Sequence, residues 1–242
     1  MNLKVYGDRQ ELAEAAARDF IERANAAIEE SGRFAVALAG GSTPKATYQL
    51  LATGEYAGQA DWSRIHVFFG DERTVPPHDD DSNYKMANDA LLSHVSPGSV
   101  HRMKGELPPD EAATEYEEEL REFFETPGDP PELDLIQLGM GDDGHTASLF
   151  PNTPALEVVD RWVTQNPVSK LDTVRITLTR PVLNAAKAVN FLVAGEGKAE
   201  PLKEVLEGDA DPHDYPSKFI QPAGELNWMA DQEATEKLDR AS

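Results

Sequence analysis

The stretch Phe34-Ala35-Val36-Ala37-Leu38-Ala39-Gly40-Gly41-Ser42-Thr43-Pro44 decides the fold. Its six apolar residues in unbroken succession leave no polar face, as a strand covered by helices on both sides requires. Gly40 and Gly41 end the run, and Pro44 stands in the first turn of a helix-like segment reaching Thr53. Upstream, Leu12, Ala16, Phe20, Ala24 and Ile28 recur every fourth residue between Asp8 and Glu30. That spacing predicts an amphipathic helix, with Asp8 placed to cap it, Glu11 three residues on, and Ser31-Gly32 as its stop. Downstream the alternation repeats: strand-like 65–69, helix-like 83–94, an acidic helix over 110–124, strand-like 133–138, 174–178 and 189–193, and a helix from about Lys198 to Glu207. Strands and helices alternating at this spacing predict an α/β chain: a parallel sheet with right-handed crossovers and helices on both faces, a Rossmann-like α/β/α sandwich. The connector Thr126-Pro127-Gly128-Asp129-Pro130-Pro131 reads as a surface loop, so residues 1–242 are expected to form one domain.

Composition narrows the function. Across 242 residues, 22 Lys and Arg face 44 Asp and Glu, a net charge of −22, and there is no cysteine. A thiol nucleophile, a disulfide and a cysteine-ligated metal are therefore excluded, which leaves the redox compartment undetermined. A surface this acidic repels phosphate backbones and anionic headgroups, so neither nucleic acid nor membrane is an expected partner. The N-terminus has no apolar segment of signal-peptide type, and no later run approaches the about 20 apolar residues that span a bilayer. A cytoplasmic protein is the expectation. The acid excess fits either plain solubility or adaptation to a salt-rich cytoplasm. A small anionic substrate would have to be met by a local cluster of Arg and Lys, acting within a screening length of about 8 Å.

In open α/β sheets ligands gather beyond the C-terminal strand ends, which directs attention to four loops. Gly40-Gly41-Ser42-Thr43-Pro44 offers close backbone approach, two hydroxyls and a helix N-terminus, which suits a phosphate, although a tight turn with Thr43 as N-cap fits as well. No Gly-Lys-Ser/Thr follows, so it is not a Walker loop. Gly70-Asp71-Glu72-Arg73-Thr74-Val75-Pro76-Pro77 is either a charged surface turn or the place where Arg73 supplies positive charge. The run His78-Asp79-Asp80-Asp81 beyond it is consecutive, and consecutive loop residues rarely converge on one ion.

The loop Leu138 to Pro151 contains a literal G-x-G-x-x-G at Gly139, Gly141 and Gly144, with Asp160 near the distance of a ribose contact. Asp142 and Asp143 would face the pyrophosphate, however, and Pro151 cuts short the helix that should hold it. A carboxylate two residues before a histidine suits catalysis better: Asp143 can position His145, whose ordinary pKa of about 6.5 fits a general base. A capping aspartate beside a structural histidine remains the alternative. The fourth place is a pair, Arg175 in Arg175-Ile176-Thr177-Leu178-Thr179 and Lys198 in Gly195-Glu196-Gly197-Lys198-Ala199. Lys198 opens a helix just past an apolar strand, where a phosphate could meet both the ammonium and the helix N-terminus.

These blocks, in this order, with Ser82-Asn83-Tyr84 and a tail running from Pro216-Ser217 through Trp228 to Asp231, resemble the 6-phosphogluconolactonases across nearly the whole chain. The resemblance implies a sugar-phosphate isomerase/deaminase-like α/β fold and hydrolysis of 6-phospho-D-glucono-1,5-lactone without metal or cofactor; it leaves the oligomeric state open. It implies His145, Asp143 and Arg73 as catalytic, and Gly40, Gly41, Ser42, Thr43, Asp71, Gly144, Arg175 and Lys198 as substrate or phosphate contacts. The related glucosamine-6-phosphate deaminases are similar in the same loops. They carry a glutamate where Phe150 stands and a tyrosine where Arg73 stands, and both departures favour the lactonase. Asp142 stands where the lactonase pattern commonly has proline, and Ser217 where it commonly has alanine. Asp142 adds negative charge near His145.

Overall fold

The computed structural model describes residues 1–126 and 128–239; Pro127, in the Pro/Gly-rich connector, lies outside them. Among the described residues ten strands run in chain order: β1 (Asn2–Tyr6), β2 (Phe34–Leu38), β3 (Ile65–Phe69), β4 (Asp71–Arg73), β5 (Ser99–Val100), β6 (Leu135–Leu138), β7 (Val163–Val168), β8 (Thr173–Leu178), β9 (Ala188–Val193) and β10 (Glu225–Asp231). The helices are α1 (Arg9–Ser31), α2 (Ser42–Leu51), α3 (Asn83–Ala87), α4 (Pro109–Phe124), α5 (Arg180–Ala185), α6 (Ala199–Leu206) and α7 (Gln232–Thr235).

Among the described residues, seven strands form one sheet in the order β1-β10-β9-β6-β2-β3-β5, every pairing parallel. All five residues of β2 are buried, and they alternate between two cores. Phe34, Val36 and Leu38 pack with Phe20, Tyr48 and Trp62 on one face, while Ala35 and Ala37 pack with Phe68, Tyr116 and Phe191 on the other. That alternation is the period of two of a strand with helices on either side. The α1 helix begins as the sequence predicts: Asp8 accepts from the backbone N–H groups of Gln10 and Glu11, and Gly32 closes it in the left-handed region. The predicted helix over 83–94 starts with Ser82 as its cap and passes into a π-helical turn at Asn88–Leu92.

One expectation needs correction. The predicted strand at 174–178 is β8, and it lies outside the parallel sheet, between β4 and β7 in a separate antiparallel sheet. Its sequence Thr173-Val174-Arg175-Ile176-Thr177-Leu178 mixes polar and apolar residues, and its first half is only partly buried, as in a sheet with one wet face. β4 leaves the end of β3 after the single residue Gly70, whose N–H bonds Leu38 of the parallel sheet and whose carbonyl accepts from Leu178 of the antiparallel one. The two sheets are joined at that point, and a cleft of about 650 Å³ opens beside it at the C-terminal ends of β2, β6 and β9. No helix is long and apolar enough to cross a membrane among the described residues.

Candidate active site

The cleft collects the glycine loop, Asp71 and Arg73, the loop after β6, Arg175 and Lys198, which the sequence places far apart. The α2 helix begins at the glycine loop. Gly41 is its N-cap with φ of +99°, a backbone shape that side chains disfavour, and no side chain caps the helix. Thr43 therefore lies inside the first turn rather than at the cap. An uncapped N-terminus leaves the first backbone N–H groups aimed at whatever fills the cleft, with the positive end of the helix dipole behind them.

Arg73 and Arg175 are cross-strand partners in the β4–β8 pairing. Two like charges in register oppose each other. The Nε atoms of both are buried with no partner among the described residues, and burial, then Arg73, holds the Arg175 guanidinium below its ordinary value. Arg73 spends one amino group on the carbonyl of Asp81. Asp71 is fixed on three sides, with Asn83 Nδ2 donating to its Oδ1 at 3.1 Å and to its carbonyl, and Ser148 Oγ donating to its Oδ2 at 2.6 Å. Its neighbour Glu72 turns inward and accepts from Ser82, Asn83 and Tyr84 at the start of α3, so that one of the two loop carboxylates is structural.

His145 is built by its own loop. Asp143 Oδ1 lies 2.5 Å from His145 Nδ1 and also accepts from the His145 backbone N–H. Because a carboxylate only accepts, Nδ1 carries the proton and Nε2 holds the free lone pair. Among the described residues Nε2 has no hydrogen-bond partner. Phe150 stacks on the ring at 4.0 Å between centroids. The loop needs glycine at 141, since a Cβ there would lie 2.0 Å from His145 Nδ1. Burial pushes the imidazole down to about 4; Lys198, Arg175 and Arg73 push the same way, and Asp71 opposes them. At neutral pH His145 is thus an uncharged base.

Lys198 ends a short turn after β9, held by Gly195 N–H on the carboxylate of Asp231, and its ammonium contacts Asp142. Gly144 is not among the residues lining the cleft; its carbonyl takes the N–H and hydroxyl of Ser217, and Tyr215 packs against it. Sequence reasoning missed Lys170, which stands at the turn between β7 and β8, contacts Asp143 and lies 4.9 Å from the Phe150 ring centroid. Only a hairpin reading of 163–178 would have brought it to the site. Among the described residues only a single 3-10 turn at Pro154–Glu157, and no α-helix, lies between β6 and β7, so the helix dipole that a dinucleotide pyrophosphate would need is missing, and no cluster of three or more metal-ligating side chains occurs.

The family of glucosamine-6-phosphate isomerases/6-phosphogluconolactonase matches residues 7–228. A 6-phosphogluconolactonase of Synechocystis sp. is 46% identical over 235 residues, covering 96% of this chain and 95% of the relative. That of Homo sapiens is 39% identical over 245 residues, covering 98% and 93%. The solved 6-phosphogluconolactonase of Trypanosoma brucei is 28% identical and superposes with a TM-score of 0.88 over 98% of both chains. A monomeric glucosamine-6-phosphate deaminase, 21% identical with a TM-score of 0.80, shares the fold. By sequence and by fold, the chain belongs to the family of glucosamine-6-phosphate isomerases and 6-phosphogluconolactonases.

Proposed function

We propose that this chain hydrolyses 6-phospho-D-glucono-1,5-lactone to 6-phospho-D-gluconate, acting as one catalytic domain in the cytoplasm. Full-length relatives that carry the lactonase name support the substrate. The observation that carries the chemistry is the neutral His145, its Nδ1–H on Asp143 and its Nε2 left for the cleft, beside Arg73, Arg175 and Lys198. The 6-phosphate sits on the uncapped start of α2 around Gly41, Ser42 and Thr43, with Arg175 and Lys198 supplying charge. His145 Nε2 takes a proton from water as its oxygen bonds C1 of the lactone, and Asp143 stabilises the imidazolium. As the tetrahedral intermediate collapses, the bond from C1 to the ring oxygen breaks and the imidazolium returns the proton to that oxygen. Arg73 faces the carbonyl oxygen while it carries negative charge.

Phe150 argues against the deaminase reading: where those enzymes place a glutamate, an aromatic ring packs flat on the base. The test generates the lactone in situ by oxidising glucose 6-phosphate and follows its decay with native protein, His145→Ala and none. Native protein should accelerate decay and His145→Ala should lose about 10²–10⁴-fold of that rate. Equal decay in all three would end the proposal, and ammonia release from glucosamine 6-phosphate would replace it with the deaminase.

A further inference from the structure

Lys198 has a partner for which the proposed reaction has no use. Its ammonium is in hydrogen-bond contact with Oδ1 of Asp142, on the loop after β6. β6 and β9 are neighbours in the sheet, so the contact ties two adjacent strand ends across the cleft wall. The two partners differ in their surroundings. The Asp142 side chain is 80% exposed, whereas that of Lys198 is 25% exposed. Released, the carboxylate returns to water at little cost, while the more enclosed Lys198 side chain keeps its ammonium at the cleft, open to another anion. Asp143 is no substitute, because its two oxygens are engaged by His145 and Lys170.

We propose that Asp142 is a built-in competitor for Lys198, a counter-ion that holds the ammonium until a phosphate displaces it. This rests on Lys198 being a ligand of the substrate phosphate. A phosphate brings up to two charges and three acceptor oxygens against one charge, so the exchange runs forward at working concentrations. The cost of displacing Asp142 falls equally on every ligand that needs Lys198, as for any site whose competent state is only partly populated. Asp142 therefore sets the affinity of the phosphate site without choosing among phosphates, and it eases departure of a product that has gained a second anionic group.

The test is a double-mutant cycle read by calorimetric titration at pH 8, with 6-phosphogluconate and separately with inorganic phosphate. Asp142→Asn should tighten both ligands by the same factor, about two- to fivefold, the scale of a partly exposed ion pair. It should lower KM for the lactone by that factor and leave kcat unchanged. In a Lys198→Ala background Asp142→Asn should change nothing, because the competition acts only through the ammonium. Equal tightening in both backgrounds means simple repulsion of the ligand and overturns the proposal. Unchanged or weakened binding in Asp142→Asn also overturns it, the latter making Asp142 a brace for Lys198. If Lys198→Ala alone leaves both affinities unchanged, the placement of the phosphate fails first and the competitor falls with it.

Discussion

Arg175→Met should make the protein more stable and a poorer enzyme at once. Arg73 and Arg175 face each other across β4 and β8, and opposed like charges in a sheet cost about 0.2–1 kcal/mol. The Arg175 Nε is buried without a partner, which adds about 1 kcal/mol or more of unrecovered desolvation. Methionine keeps the length and apolar stem and removes both costs, a gain of about 1–2 kcal/mol, and a chain of this size melts about 2–4 °C higher per kcal/mol. Phosphate binding should move the other way. Losing a charge-assisted hydrogen bond worth about 1.5–3 kcal/mol raises KM and the dissociation constant of 6-phosphogluconate about 10–100-fold. Native protein at one hundred times its dissociation constant gains about 2.7 kcal/mol from the ligand, and the variant at the same concentration should gain only about 0.4–1.4 kcal/mol. Thermal melting at about 0.15 M salt, with and without 6-phosphogluconate, reads both effects. The global charge of −22 favours keeping a cation, so higher melting of the ligand-free variant would show that the local opposition prevails. A ligand-free Arg175→Met that melts below native protein would refute the claim that the pair is held against its own repulsion.

Gly141→Ala puts a methyl group 2.0 Å from His145 Nδ1, so the ring must swing away from Asp143; kcat should fall at least about 10²-fold while calorimetry shows 6-phosphogluconate still bound. Asp143→Asn removes the negative charge that steadies the imidazolium and should lower kcat by about 10²–10⁴-fold with little change in KM, to be read from steady-state rates. The imidazole is near 4 when folded against an ordinary 6.5 unfolded, so the unfolded chain binds the extra proton and stability falls as pH drops from 6.5 toward 4. At pH 5 that penalty is about 2 kcal/mol, and denaturant titrations should show His145→Gln losing correspondingly less stability between pH 7.5 and pH 5 than native protein.

The sequence discloses the parallel sheet through β2, β3, β6 and β9, because strands buried on both faces have no polar register to hide the signal. β1 is an edge strand, exposed along most of Asn2–Tyr6 and with no apolar run to betray it, and β5 has two residues. β4 and β7 are equally faint, since Asp71-Glu72-Arg73 reads as a turn and Val163–Val168 contains Asn166 and Pro167. The antiparallel sheet they build with β8 was thus illegible as a sheet, although its Arg175 stood out as a residue. The same limit applies to the site. Glycine spacing, the Asp143–His145 interval and the basic residues after strand ends are local patterns, and they pointed to the cleft. Lys170 reaches Asp143 only because the turn between β7 and β8 folds over Phe150, and Glu72 differs from Asp71 only in which way β4 turns it. Such facts are properties of pairing between distant segments.

The cations that hold His145 low are the ones proposed to hold the substrate. After burial, the causes that lower its pKa are Lys198, Arg175 and Arg73. In the free enzyme burial, with these cations acting in the same direction, keeps the imidazole unprotonated down to about 4, where a base is always available but intrinsically weak. A bound phosphate dianion takes the place of Asp142 on Lys198 and sets its remaining charge against Arg175, so the net field at the ring becomes less positive and the same imidazole becomes a stronger base when there is a water to deprotonate. Substrate binding and base strength are then one electrostatic event. The ring resonances of His145, assigned by their loss in His145→Ala, should not titrate between pH 8 and pH 5.5 in the free protein and should titrate at higher pH with 6-phosphogluconate bound. In Arg175→Met the free value should already be raised and the ligand-induced change smaller. A His145 that titrates near 6.5 without ligand, or whose midpoint stays put or falls when the ligand binds, would show that the cations act on the substrate alone and that the base is set by its burial.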